Sequence, residues 1–224
     1  ISCSDICLIK VLNFTSASSS VSIVVMIYVF SLETTSDICS VATGNLQHMV
    51  ENTRVAPRLH NALLLGLIDE CLQAIGATLD DCECIAYSRG PGSFTGIRIG
   101  ASVAQGIAFA RNLPVCGIDT SAVMARIAVS MTNMESFRST RISRRNLVYS
   151  AKHSVVDGTL QTIEPDVLTE DAPDETLTVV PDSRVALSAK YLMEIALENR
   201  DNWDLPEMVL PNYVEGDTPW KPAF

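Results

Sequence analysis

The segment Gly90-Pro91-Gly92-Ser93-Phe94-Thr95-Gly96 has the composition of a loop that touches a ligand or another backbone. Glycines admit positive φ and close approach. Ser93 and Thr95 can satisfy free N–H groups at a helix start. A helix N-terminus of this kind can also hold an anion such as a phosphate. The segment lacks the Gly-Lys-Ser/Thr ending of a P-loop. The residues alone therefore fit either a structural turn or a phosphate contact made by Gly90, Gly92, Ser93, Thr95 and Gly96. Metal chemistry finds little support. His48, His60 and His153 are isolated, and the seven cysteines form neither a paired CxxC arrangement nor a Cys/His cluster at zinc spacing. Cys82 and Cys84 are expected on one face of a strand. Glu33 and Asp119 are candidate Mg²⁺ carboxylates for phosphoryl transfer, without the rest of such a set in evidence.

The elements that must position these residues read as α/β. Ser22–Glu33 is expected as a buried strand, Ile38–Thr43 as its neighbour, Gly44-Asn45 as a turn and 46–55 as a third strand. Leu64, Leu67, Ile68, Cys71, Leu72 and Ile75 recur at helical spacing over 60–75, and Gly76 ends that helix. A strand over 84–88 leads through the glycine loop to a helix over 96–111. There Gly96, Gly100, Ala104 and Ala108 fall at every fourth position and make a smooth ridge. A strand over 114–118 precedes a helix N-capped by Thr120 or Ser121. Further on, 147–150 and 154–156 read as strands, 165–176 as an acidic loop, 188–198 as a helix, and the C-terminal segment as a docked extended stretch. Strands followed by helices, given twice, imply two related halves. Residues 1–21 are expected as an irregular extension, 22–118 as an N-terminal α/β subdomain and 119–224 as a C-terminal one.

The hydrophobic fraction of 47% with 19% charged residues implies a packed globular protein. A net charge of −10 argues against a chain that grips nucleic acid by itself. Arg138, Arg141, Arg144 and Arg145 form the densest basic segment, expected as a solvated loop. Val21–Phe30 is too short to span a bilayer as a helix, and no membrane association is expected. Buried thiols in a reducing cytoplasm are the simplest account of the cysteines.

Residues 89–100, RGPGSFTGIRIG, resemble the signature of the TsaB (YeaZ) family. So does the stretch Leu32-Glu33-Thr34-Thr35-Ser36-Asp37-Ile38-Cys39-Ser40-Val41-Ala42, where the family usually has Asp in place of Glu33. Arg58-Leu59-His60-Asn61, Pro114–Thr120 and the ending PNYVEGDTPWK are also similar to the family's. The likeness is strong over 28–124 and patchy beyond. Where the family has Asp-Ala-Arg before a hairpin, this chain reads Ile142–Ser150, in which Arg145 and Tyr149 could fill similar places but the Asp is missing.

This resemblance implies an actin-like ATPase (ASKHA, ribonuclease H-like) fold. It implies a non-catalytic scaffold subunit in the making of threonylcarbamoyladenosine (t6A) on tRNA, paired with the catalytic TsaD and the ATPase TsaE. tRNA would be met only through the complex, no cofactor would be tightly bound, and ATP or ADP could lie at the complex interface. The catalytic paralogue carries a His-x-x-x-His pair where this chain has Thr120 and Met124. The expected partner face is His60, Leu64, Ile68, Gly96, Gly100, Ala104 and Ala108. Rival readings are a metallopeptidase, a small-molecule kinase of the same fold, and a homodimeric interaction module.

Overall fold

The computed structural model of the chain describes residues 9–16, 19–26, 28–144, 146–170 and 178–214. Strands β1 (Ile9–Ser16) and β2 (Ser19–Met26) pair antiparallel. The irregular extension expected over 1–21 is thus largely strand among the described residues, and the strand expected from Ser22 is two separate strands. β1 and β2 are each other's backbone partners over the full length of both strands.

The main sheet has the order β5-β4-β3-β6-β7, from β3 (Tyr28–Glu33), β4 (Ile38–Gly44), β5 (Met49–Val55), β6 (Cys82–Gly90) and β7 (Val115–Asp119). β4 runs antiparallel to both β3 and β5, whereas β6 is parallel to both β3 and β7. Alternate residues of β3 and β6 enter two different cores, so these strands are buried on both faces. Phe30, Leu32, Ile85 and Tyr87 join the helices α1 (His60–Ile75) and α2 (Phe94–Arg111). Val29, Cys84 and Ala86 join α3 (Thr120–Met131) and α4 (Ala189–Glu198) on the other side.

A bulge at the start of β6, where Tyr28 pairs with Cys82 but Val29 with Cys84, overturns the expectation that these two cysteines share a face. The extra residue reverses the alternation and puts Cys82 in one core and Cys84 in the other. All five described cysteines are free and buried. Burial pushes the Cys82 thiol up to about 12 and those of Cys39, Cys71 and Cys116 to about 11, so they are inert packing residues.

The second sheet has the order β10-β9-β8-β11, from β8 (Ser136–Arg144), β9 (Leu147–Val156), β10 (Thr159–Glu170) and β11 (Thr178–Pro181). Two expectations fail here. The basic segment is strand β8 up to Arg144, not a solvated loop, and 165–170 belong to β10. Arg138 pairs with Glu164 across the sheet at 2.8 Å, while Arg141 turns into the protein. Long-range partners of this kind leave no local mark in a sequence. Phe137, Val180 and Leu187 complete the core around α3 and α4. Among the described residues no helix is long and apolar enough to cross a membrane.

Candidate functional site

The glycine loop packs against the turn between β3 and β4. Ser93 N–H donates to the Thr35 carbonyl at 2.8 Å, and Thr34 Oγ1 donates to the Gly96 carbonyl at 2.8 Å. Ser93 is the N-cap of α2, its Oγ accepting from Gly96 N at 3.3 Å. A Cβ on Gly92 would stand 2.6 Å from the Thr35 carbonyl oxygen, and one on Gly96 would collide with the Thr34 carbonyl oxygen. Gly90 has a φ of 106°, which favours glycine. The loop glycines are therefore used to bring α2 down onto the β3–β4 turn. Gly92 and Ser93 also line a cleft, whereas Gly96 is on the buried side of α2 and Thr95 is exposed.

That cleft, about 550 Å³, lies between the glycine loop, the β3–β4 turn, the end of β8 and the C-terminal segment. Arg141 reaches across it. Its guanidinium donates to Thr35 Oγ1 at 3.0 Å, to the Thr35 carbonyl, and to the Pro91 carbonyl at 3.4 Å. Burial lowers the affinity of Arg141 for its proton, and the nearby Glu33 carboxylate opposes that effect. Glu33 is fully buried and accepts from Thr35 N at 2.7 Å and Thr35 Oγ1 at 2.6 Å. Asp119 accepts a forked pair from Arg89, at 2.7 and 3.0 Å, and a third bond from the Asn212 amide at 2.9 Å. Of the two carboxylates singled out for Mg²⁺, Glu33 is thus engaged in the β3–β4 turn through one oxygen, its other being buried without a partner, and Asp119 is engaged by Arg89 and Asn212. Among the described residues no group of three or more His, Cys, Asp or Glu side chains is placed to hold a metal. Asp119, rather than Thr120 or Ser121, is the N-cap of α3, without a side-chain capping bond.

Thr120 and Met124 are both buried. Thr120 Oγ1 lies 3.0 Å from Ser88 Oγ, and Met124 sits in the apolar core. Beside them Ser121 donates to Asp166. Burial raises the Asp166 carboxyl to about 6, against the Ser121 bond and with help from Asp119. His153, held between Ser139 Oγ at 2.9 Å and Thr162 Oγ1 at 3.3 Å, is pulled down to about 4 by burial and by Arg138. These groups act on stability in opposite senses. The unfolded chain protonates His153 first, so its contribution is complete above pH 6.5 and is lost as pH falls towards 4. Asp166 is buried more easily as the acid, so it favours the fold at pH 4 and loses that contribution as pH rises to 6. Urea unfolding across this range should show His153→Gln gaining about 2 kcal/mol on the wild type between pH 6.5 and 4. Asp166→Asn should lead the wild type at pH 7 and give up that lead by pH 4. Profiles parallel to the wild type would contradict both assignments.

The seven residues named as a partner face do not form one. His60, Leu64, Ile68, Gly96, Gly100, Ala104 and Ala108 are all buried. His60 Nε2 is 3.1 Å from the Ile38 carbonyl oxygen, and a Cβ on Gly100 would run into Thr34 Oγ1. The small ridge faces the chain's own sheet and lets α2 sit close to it. The outward faces of the same helices are different. Leu65 is 59% and Phe109 53% exposed. Between the helices runs an open groove of about 440 Å³, walled by Leu65, Phe94, Arg98, Ile99 and Val103. Gly66 and Gly106 stand in helix interiors with no atom within 4 Å of where a Cβ would be. Sequence periodicity could not find this face, because the outward glycines have no repeat of their own.

The two sheets, with α1 and α2 on one face of the main sheet and α3 and α4 sharing one core with both sheets, fit an actin-like ATPase (ASKHA) fold. A crystal structure described as an uncharacterized protein with similarity to peptidase YEAZ from Pseudomonas aeruginosa superposes with a TM-score of 0.76 at 26% identity, covering 84% of this chain and 100% of that one. The model of the TsaD family, tRNA N6-adenosine threonylcarbamoyltransferase, matches residues 46–188. The chain belongs to that family, in its TsaB (YeaZ) branch. It is 39% identical over 122 residues to the tRNA threonylcarbamoyladenosine biosynthesis protein TsaB of Haemophilus influenzae, across 53% of this chain and 50% of that protein. It is 38% identical over 98 residues to the TsaB of Escherichia coli, across 44% and 42%. The chain spans about half the length of these curated relatives, or less.

Proposed function

We propose that this chain is a non-catalytic scaffold subunit of the machinery that makes t6A on tRNA in the cytoplasm. It docks a TsaD-like transferase through the outward faces of α1 and α2. The observation that carries this is the pair Gly66 and Gly106. A glycine in a helix interior costs roughly 1 kcal/mol relative to alanine. Neither has a neighbour inside the chain that would require it. Both are exposed, and the same two helices leave Leu65 and Phe109 in solvent. A surface cleared of side chains and edged with apolar ones suits close packing by helices of a partner. A paralogue of the same fold presents helices of matching length, and an interface of about 1,600 Å² is reasonable.

The non-catalytic reading rests on Thr120 and Met124, neither of which is a suitable ligand for a hard or borderline metal at that place. Asp119, engaged by Arg89 and Asn212, weakens the kinase alternative. In this reading a TsaE-like ATPase joins the pair, ATP or ADP enters at the complex interface, and tRNA is met through partners that offset the charge of −10. The chain's own copies could use the same face when the partner is absent. Titration calorimetry of the purified chain against the transferase of the same genome should give a saturable one-to-one complex. Absence of heat and of co-elution would refute the docking role.

A further inference from the structure

The C-terminal segment runs back over the main sheet and along α2. Tyr87 Oη accepts from Leu210 N at 3.1 Å, and Gln105 Nε2 donates to the Pro206 carbonyl at 3.3 Å. Asn212 is fixed twice, its N–H donating to the Arg89 carbonyl at 2.7 Å and its side-chain amide to Asp119. Tyr213 follows directly on this anchor. Arg98 Nε donates to Tyr213 Oη at 2.8 Å, and the guanidinium lies 3.4 Å from the centre of the Phe94 ring. The Phe94 and Tyr213 rings are 5.9 Å apart and tilted by 40°. Arg98 is thus held between a hydroxyl and an aromatic face, an arrangement that favours a cation. Phe94 in turn lines both the cleft and the α1–α2 groove.

We propose that Tyr213 is a positioning residue for the docking groove, clamping Arg98 over Phe94 so that the first turn of α2 presents a fixed end wall to the partner. The inference rests on the reading of the α1–α2 face as the docking surface. Phe94 is 43% exposed, and the Arg98 guanidinium stacked on it restricts its choice of rotamer. Ordering it beforehand removes a cost that binding would have to meet. The same wall bounds the cleft, so the C-terminal strap ties the geometry of the cleft to that of the groove. Because Asn212 anchors the strap independently, loss of the Tyr213 ring removes the clamp and leaves the strap in place.

The test uses the full chain as wild type, Tyr213→Ala and Tyr213→Phe, with two measurements. Calorimetry against the transferase should show a Kd raised about tenfold in Tyr213→Ala and less than about threefold in Tyr213→Phe, which keeps the ring, with Tm unchanged in both. Hydrogen exchange without partner should show faster exchange over 94–98 in Tyr213→Ala alone, the rest of the chain being unaltered. Wild-type affinity in Tyr213→Ala overturns the proposal, as does a loss of affinity that only follows a fall in Tm. If the wild type itself binds no transferase, the docking role fails. Unchanged exchange over 94–98 then overturns the clamp as well, while faster exchange there upholds it.

Discussion

Gly96→Ala is expected to cost at least about 3 kcal/mol of folding stability, a large share of the roughly 5–15 kcal/mol typical of a domain. The added Cβ meets the Thr34 carbonyl oxygen, and Thr34 is held there because its hydroxyl donates to the Gly96 carbonyl. Two backbones would have to part. Ser93 and Thr35, joined at 2.8 Å, would be drawn apart with them, and with them the support for Arg141. Urea unfolding measures the effect. A midpoint within error of the wild type would mean that α2 does not rest on the β3–β4 turn. Gly100→Glu belongs to the same class, since its Cβ meets the Thr34 hydroxyl. That change would unfold the chain rather than report on a partner.

Gly106→Glu is expected to do the opposite. The position is exposed and open, and glutamate is the better helix former by several tenths of a kcal/mol. Stability should hold or rise slightly. Affinity for the transferase should fall more than 100-fold, because a long charged side chain would be buried, unpaired, where helices must come close. Calorimetry paired with thermal unfolding separates the two effects. Retained affinity would place the docking surface elsewhere and leave Gly106 without a structural reason.

The contrast between Gly100 and Gly106 shows what could be read from the chain beforehand. Helix α1 was legible because Leu64, Leu67, Ile68, Cys71, Leu72 and Ile75 mark a single face, and all six are buried. The ridge of Gly96, Gly100, Ala104 and Ala108 was legible as a ridge. Its direction was not, since a period of four identifies one side of a helix without saying whether sheet or solvent lies against it. Thr34 and the turn it closes decide that. Strand β8 was hidden because Arg138 and Arg141 find their partners, Glu164 and Thr35, far away in the sequence. Strand β10 was hidden because a largely exposed strand at the side of a sheet needs no apolar alternation. Tyr213 could be recognised as part of a docked ending, but its contact with Arg98 and Phe94 depends on the path of the strap.

Threonylcarbamoylation rebuilt from purified parts is the most direct test of the assembly role. With the adenylate donor, tRNA, the transferase and the TsaE-like ATPase present, t6A should form only when this chain is added, and the chain with tRNA and donor alone should form none. Product made at the same rate without it, or made by the chain in the transferase's absence, would contradict the account.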